Sequence, residues 1–127
     1  MDIQPASDFP YFDLEAARSL LPWLRDKLEE LKEVKALIEE STELGRRSLI
    51  STYTFKADSI VKEITRKGIV LRDVDLGLVD FPAIINGSPA YLCWRDDEVD
   101  IQYWHYADEG YSGRKRLTGK EDILSLT

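Results

Sequence analysis

The hydrophobic periodicity of the amino-acid sequence changes at Gly68. Upstream of this glycine, apolar side chains recur at intervals of three and four residues, as on one face of a helix, in two runs that end near Ile38 and Ile64. Downstream, apolar and polar residues alternate, as they do along a half-buried strand. This order predicts an α+β fold, in which an N-terminal antiparallel helical hairpin packs on a small antiparallel β-meander of about four to five strands.

The chain divides at these changes of pattern, and its 127 residues are typical of a single domain. We expect residues 1–12 to form an extended lead-in, residues 13–67 the helical hairpin, residues 68–118 the β-meander and residues 119–127 a tail. Pro22 lies inside the first helical run, so we expect it to kink that helix without breaking it.

The strongest turn signal in the strand half is Asn86-Gly87, because a two-residue type I′ turn needs positive φ at both central positions. Such a turn predicts one apolar face built from opposed pairs, namely Ala83 with Ala90, Phe81 with Leu92, and Val79 with Trp94. The second face of the same hairpin then carries Leu78, Asp80, Pro82, Ile84, Tyr91, Cys93 and Arg95.

The register of the third strand depends on the next connection. A tight turn at Asp96-Asp97 would place Leu92 near Ile101. In that register Cys93 and His105 lie on opposite faces of the sheet, so Cys93 is interpreted as a structural cysteine and not as a nucleophile.

Composition restricts the partners and the compartment. The net charge of −7 and the pI near 4.7 oppose general attraction to nucleic acid. No stretch approaches the roughly 20 apolar residues of a membrane helix, so no membrane contact is expected. The single cysteine and the absence of a secretory signal predict a cytoplasmic protein.

Several segments carry a specific resemblance. They are Ala16-Ala17-Arg18-Ser19-Leu20-Leu21-Pro22-Trp23-Leu24, the stretch from Asp73 to Ala83, Asn86-Gly87, Tyr91-Leu92-Cys93-Trp94-Arg95, Tyr103-Trp104-His105 and Gly110-Tyr111-Ser112-Gly113-Arg114. Together they resemble the domain-of-unknown-function family numbered 2203. The resemblance implies a helical hairpin packed on a small sheet, and it implies no activity.

The candidate ligand-binding residues all lie in the strand half of the chain. They are Asp75, Asp80, Tyr91, Arg95, Trp104, His105 and Arg114. Asp80 is the most unusual, because Asp is a poor strand former and needs a partner in mid-strand, either Arg95 across the hairpin or a ligand. Tyr91, Trp104, Tyr106 and Arg95 are the contacts expected on the second face, since aromatic residues and Arg dominate binding hot spots.

The sequence predicts no metal and no cofactor, because one Cys and one His cannot supply the four ligands of a structural zinc site. A carboxylate site for a hard cation, built from Asp73, Asp75 and Asp80, is the alternative to a turn in which Asp side chains form local hydrogen bonds. The turn is the simpler interpretation.

The lengths of the elements predict self-association. A helix of about 28 residues spans roughly 42 Å, whereas a strand of about nine residues spans roughly 30 Å. The hairpin should therefore extend past the sheet, and its apolar stripe continues to Leu37 and Ile38. Exposed apolar surface of this kind is usually covered by a partner, so we expect a homodimer through the helical hairpin.

The sequence leaves three functional interpretations open. The first is a small cytoplasmic, non-enzymatic interaction or ligand-binding module that self-associates through its helices and binds a protein or a small molecule on the second sheet face. The alternative is a small metal-dependent or acid/base enzyme that uses Asp75, Asp80, Glu98 and His105. The third, nucleic-acid binding through residues 114–116, is disfavoured by the net charge.

Overall fold

The computed structural model describes residues 11–125, so most of the expected lead-in and the last two residues of the tail lie outside the described residues. The elements follow one another as α1 (Leu14–Ser19), α2 (Leu21–Glu43), α3 (Arg47–Arg66), β1 (Val70–Asp73), β2 (Leu78–Ile85), β3 (Ser88–Arg95), β4 (Tyr103–Tyr106), a short 3₁₀ helix (Tyr111–Gly113) and β5 (Lys115–Arg116). Helices followed by a five-stranded antiparallel sheet confirm the predicted α+β fold.

The first helical run is interrupted at Leu20, so the expectation of one kinked helix is wrong. Asp13 caps α1, with its Oδ1 accepting a hydrogen bond from the Ala16 amide at 2.7 Å. Pro22 falls in the first turn of α2, where a missing N–H costs no helical hydrogen bond. The proline therefore starts a second helix instead of bending the first.

Helices α2 and α3 pack together as the predicted hairpin, joined by a turn in which Gly45 has a φ of +65°. One stripe of α2 is buried, and it consists of Leu21, Leu24, Leu28, Leu31 and Val34. Ile60 and Ile64 of α3 complete the helical layer of the core. Each of these side chains contributes about 1.5–3 kcal/mol when it leaves water. No helix of the described residues is both long enough and apolar enough to cross a membrane.

The sheet has the strand order β1-β2-β3-β4-β5. The predicted turn at Asn86-Gly87 is confirmed by φ values of 54° and 78°. The predicted register is confirmed as well, since Ala83 pairs with Ala90, Phe81 with Leu92, and Val79 with Trp94. These residues form the core face of the sheet against the helices. We call the opposite side, which the helices do not cover, the outer face.

The predicted register of the third strand is wrong. Leu92 pairs with Trp104 and not with Ile101, and Val99 is 89% exposed. The tight turn is replaced by a longer connection over residues 96–102, in which Glu98 accepts hydrogen bonds from the Arg95 amide and from the Trp94 indole nitrogen. Hydrogen bonds to Glu98, and not a two-residue turn, therefore hold this loop in place.

The observed pairing of β4 with β3 is shifted by three residues from the predicted one. A shift by an odd number of residues moves each side chain of the strand to the other face of the sheet. Trp104 is only 4% exposed and belongs to the core, and Tyr106 packs against the core. The expectation that these two aromatic residues lie on the second face is therefore wrong. His105 takes the outer face, next to Tyr91 of β3.

The second edge of β2 is covered beyond the short strand β1. The Phe12 amide donates to the Pro82 carbonyl, the Leu124 amide to the Ile84 carbonyl, and the Asn86 amide to the Asp122 carbonyl. The end of the lead-in and part of the tail thus complete the hydrogen bonding of this strand, which protects it from pairing with another chain.

Candidate functional site

Three buried side chains with metal-binding or catalytic chemistry meet on the outer face. Asp80 of β2 pairs with Cys93 of β3, and His105 of β4 pairs with Tyr91, which lies two residues before Cys93 on the same face of β3. Their exposed fractions are 3%, 1% and 3%, and one oxygen, the sulfur and one ring nitrogen all lie within 4.8 Å of one another. We call Asp80, Cys93 and His105 the polar cluster.

Asp80 is held by two partners. The Arg72 Nε donates to its Oδ2 at 2.9 Å, and the His105 Nε2 lies 3.2 Å from Oδ2 and 3.3 Å from Oδ1. Partial burial opposes the charge of the Arg72 guanidinium. Its hydrogen bond to Asp80 and the negative charge of Asp80 outweigh this effect, so the pKa of Arg72 is raised. The expected partner, Arg95, is wrong, because Arg95 donates to Asp97 and to the Tyr111 hydroxyl.

The ring of His105 is fixed by its other nitrogen. Its Nδ1 lies 2.9 Å from the Tyr106 carbonyl oxygen, and the ring contacts Tyr91 at a centroid distance of 5.4 Å. A carbonyl only accepts hydrogen bonds, so we assign a proton to Nδ1. The Nε2 atom is consequently the nitrogen that faces Asp80 and can bind a proton or a cation.

Cys93 lies beside His105, so the prediction that they fall on opposite faces is wrong. Burial, with the negative charge of Asp80 adding to it, raises the pKa of the thiol to about 11, although Arg114 acts in the opposite direction. The Arg114 Nε donates to Sγ at 3.3 Å. The same guanidinium binds Glu98 and lies over the Tyr103 ring, with 4.0 Å between the guanidinium carbon and the ring centroid.

A pocket of about 300 Å³ opens above the polar cluster, between the outer face and the connection after β4. Besides the cluster, its lining consists of Arg72, Leu78, Ala107, Glu109, Gly110 and Tyr111. Glu109 is held in place because it accepts hydrogen bonds from Lys115 and from the Tyr106 amide. We call this cavity the outer pocket, and it gives the buried donors access to a small ligand.

The model of a family described as an uncharacterized conserved protein, DUF2203, matches residues 10–117, which include the whole polar cluster. The chain belongs to the DUF2203 family. No curated protein and no solved structure matches it. The resemblance of the sequence to this family is thereby confirmed.

The DUF2203 fold brings together some of the predicted site residues. Asp80 and His105 belong to the polar cluster, Arg114 contacts Cys93, and Tyr91 lies beneath the Arg72 guanidinium, whose carbon is 5.0 Å from the ring centroid.

Other predicted site residues lie elsewhere. The exposed Asp75 forms an ion pair with Lys35 at 2.8 Å, and Trp104 is buried in the core. Glu98 binds Arg114 and not the cluster. Asp73 accepts a hydrogen bond from the Leu76 amide, as the turn interpretation predicts. The four groups of the predicted enzyme site therefore do not converge, and only Asp80 and His105 meet.

Cys93 and Arg72 are the site residues that sequence reasoning missed. The predicted register of β4 places Cys93 and His105 on different faces of the sheet, whereas the observed register places them on the same face. Arg72 offered a weak signal, since β1 is antiparallel to β2 and a basic residue on it can reach an acidic residue across the pair.

A second, larger cavity of about 620 Å³ lies between α1 and the chain after β5. Its charged groups are largely matched with one another, since Arg18 binds Asp100 at 2.9 Å and Glu121 accepts from the Thr118 amide. Both members of the Arg18–Asp100 pair are well exposed. The larger volume therefore carries less chemistry than the outer pocket.

Proposed function

We propose that this DUF2203 protein is a small ligand-binding module, and that the outer pocket is its binding site. The observation that carries the proposal is the burial of Asp80 and His105, each 3% exposed, at the floor of an accessible cavity. A buried carboxylate adds little to stability, because the cost of its desolvation offsets its attraction to its partners. Buried titratable groups with close charge partners in a cleft are typical of binding and catalytic sites.

The size of the pocket restricts the ligand. A volume of about 300 Å³ lies at the small end of ligand sites. The lining combines the partly exposed Arg72 guanidinium and Tyr111 ring with the buried polar cluster. We therefore favour an ion or a small polar molecule over a large apolar one. The single cysteine is consistent with a reducing compartment such as the cytoplasm.

The basic run at residues 114–116 gives little support to nucleic-acid binding. Arg114 is engaged with Cys93 and Glu98, and Lys115 forms an ion pair with Glu109 at 2.6 Å. These partners neutralise most of the charge that would otherwise bind phosphate.

We also propose that the protein self-associates through the end of its helical hairpin. Beyond the Lys35–Asp75 ion pair, the hairpin continues to its turn, and Leu37 and Leu44 are 37% and 56% exposed there. Apolar side chains on an extended helix end are suited to a contact with a second copy of the chain.

Native mass spectrometry of untagged, gently purified protein tests the binding module. The exposed Ala107 lines the outer pocket, so Ala107→Trp should obstruct it, whereas Asp108→Trp is a matched control outside that lining. We expect a retained mass in the wild-type protein and in the control, and its loss in Ala107→Trp. A retained mass that is equal in all three proteins would exclude the outer pocket as the binding site. A wild-type chain that carries no retained mass, and whose thermal stability no added ion or small polar molecule raises, would exclude the ligand-binding module.

A further inference from the structure

The polar cluster offers one sulfur, one imidazole nitrogen and one carboxylate oxygen from three neighbouring strands. All three donor atoms lie within 4.8 Å of one another on the same face of the sheet. Thiolate, imidazole and carboxylate are the ligands of zinc and related transition metals, whereas magnesium and calcium prefer oxygen atoms alone. The three donor atoms therefore fit a transition metal such as zinc, and not magnesium or calcium.

The orientation of His105 is that of a metal ligand. Metal-binding histidines usually donate their second ring N–H to a carbonyl or a carboxylate, which fixes the tautomer and the ring. The His105 Nδ1 forms this bond with the Tyr106 carbonyl at 2.9 Å. Its Nε2 is thereby directed at Asp80 and is available to bind a metal.

The separation of His105 and Asp80 leaves room for an ion between the two side chains. Charge-assisted N–H···O bonds are about 2.7–2.9 Å long, whereas Nε2 lies 3.2 and 3.3 Å from the two Asp80 oxygens. In a tetrahedral zinc site, with metal bonds of about 2.0–2.1 Å, two such ligands are about 3.3–3.4 Å apart.

We propose that Asp80, Cys93 and His105 bind a divalent transition-metal ion of the zinc class, with a fourth coordination position facing the outer pocket. This inference rests on the proposed function, because it names the ligand of that pocket. Three protein ligands and one open position are the arrangement of zinc sites that bind water or a substrate.

The ion binds beside Arg72 and Arg114 only if the donors supply negative charge. Cys93 binds as a thiolate, so its thiol gives one proton to solvent when the ion enters, and neutral His105 binds through the lone pair of Nε2. The thiolate and the Asp80 carboxylate then balance the two positive charges of the cation. The Arg114 Nε, 3.3 Å from Sγ, is placed to donate to the resulting thiolate.

Titration of the full, reduced, tag-free chain with Co²⁺ tests the inference, because Co²⁺ substitutes for zinc and reports its ligands by absorption. We expect one equivalent of Co²⁺ to give the intense visible bands of tetrahedral coordination together with a thiolate-to-cobalt charge-transfer band. Added Zn²⁺ should abolish both. A wild-type spectrum without the charge-transfer band would overturn the proposal, and this arm needs no variant.

Variants assign the ligands. Cys93→Ser should abolish the charge-transfer band and weaken Zn²⁺ binding at least about tenfold, since loss of even an outer-shell partner costs that much. Asp75→Asn, which alters an exposed carboxylate outside the cluster, should bind as the wild-type protein does. Near-UV circular dichroism of the metal-free variants establishes that they are folded. Equal Zn²⁺ affinities in Cys93→Ser and the wild-type protein would also overturn the proposal.

The inference and the proposed function fail in different ways. If native mass spectrometry shows an organic molecule that depends on Ala107 while Co²⁺ does not bind, the metal site is wrong and the ligand-binding module stands. If Co²⁺ binds through Cys93 and Ala107→Trp weakens that binding, both stand. If neither an ion nor a molecule binds, both are wrong.

Discussion

The burial of the Cys93 thiol in the polar cluster should make the free energy of unfolding depend on pH. Burial, with the charge of Asp80 adding to it, raises the pKa of this thiol from 9.0 to about 11 in the folded chain. Above about pH 9 the thiol of the unfolded chain ionises while that of the folded chain stays protonated. The contribution of the thiol to stability is therefore complete below about pH 9, and it is lost as the pH rises toward about 11.

The size of the loss follows from the two pKa values. At about pH 10 the thiol is about 90% ionised in the unfolded chain and about 10% ionised in the folded chain. Raising the pH from about 8 to about 10 should therefore remove about 1.3 kcal/mol from the free energy of unfolding. Urea denaturation of the metal-free protein, with a chelator and a reductant present, measures this quantity.

Cys93→Ser is the matched control, because a serine hydroxyl does not ionise in this range while every other titrating group is shared. The wild-type protein should lose about 1.3 kcal/mol more than Cys93→Ser over the same pH interval. Equal losses in the two proteins would refute the reasoning, since the folded thiol would then ionise as it does in the unfolded chain.

Further predictions concern the charge of the cluster, one tight turn and the helical hairpin. Asp80→Asn keeps the side-chain shape but leaves a guanidinium and a buried imidazole without their anion, so it should lower the free energy of unfolding by about 2 kcal/mol in urea denaturation; a change below about 0.5 kcal/mol would contradict the role assigned to the carboxylate. Gly77→Ala should cost about 2–3 kcal/mol in the same assay, because a φ of +61° disfavours a side chain and the added Cβ would lie 2.2 Å from the Asp96 carboxylate. Gly45→Ala is its control, with a φ of +65° and no atom within 4 Å; it should cost only about 1 kcal/mol, and equal costs would show that the contact with Asp96 is unimportant. In sedimentation velocity the wild-type protein should be a dimer and Leu44→Glu a monomer, because a charge at this 56% exposed position opposes burial; a monomeric wild-type protein would end the proposal of self-association.

The parts of the fold that were predictable are those with a strong local signal. Asn86-Gly87 selects its own turn type, and the turn then fixes every opposed pair between β2 and β3. The third strand had no such signal. Val99 and Ile101 continue the alternation and imitate a strand, while the hydrogen bonds of Glu98 that hold the actual loop are not visible in a hydrophobic pattern.

The candidate site was only partly predictable for the same reason. Asp80 and His105 were found from residue type alone, since an aspartate in mid-strand and a lone histidine are conspicuous in any register. Whether Cys93 joins them depends on the face that β4 presents, and a shift of three residues reverses that face. Ile101 and Trp104 are both buried, so the pattern of apolar residues alone does not decide which of them pairs with Leu92.

The three members of the polar cluster belong to three consecutive strands, so the site exists only when all three strands are paired. A ligand that contacts all three strands links them to one another. It binds only the folded chain, so its binding free energy adds to the free energy of unfolding. At a free concentration of about one hundred times its dissociation constant, such a ligand raises the free energy of unfolding by about 2.7 kcal/mol. With four residues, β4 is the shortest of the three strands, so a bound ligand should stabilise it most. Its amide hydrogen exchange should therefore slow first when the site is filled.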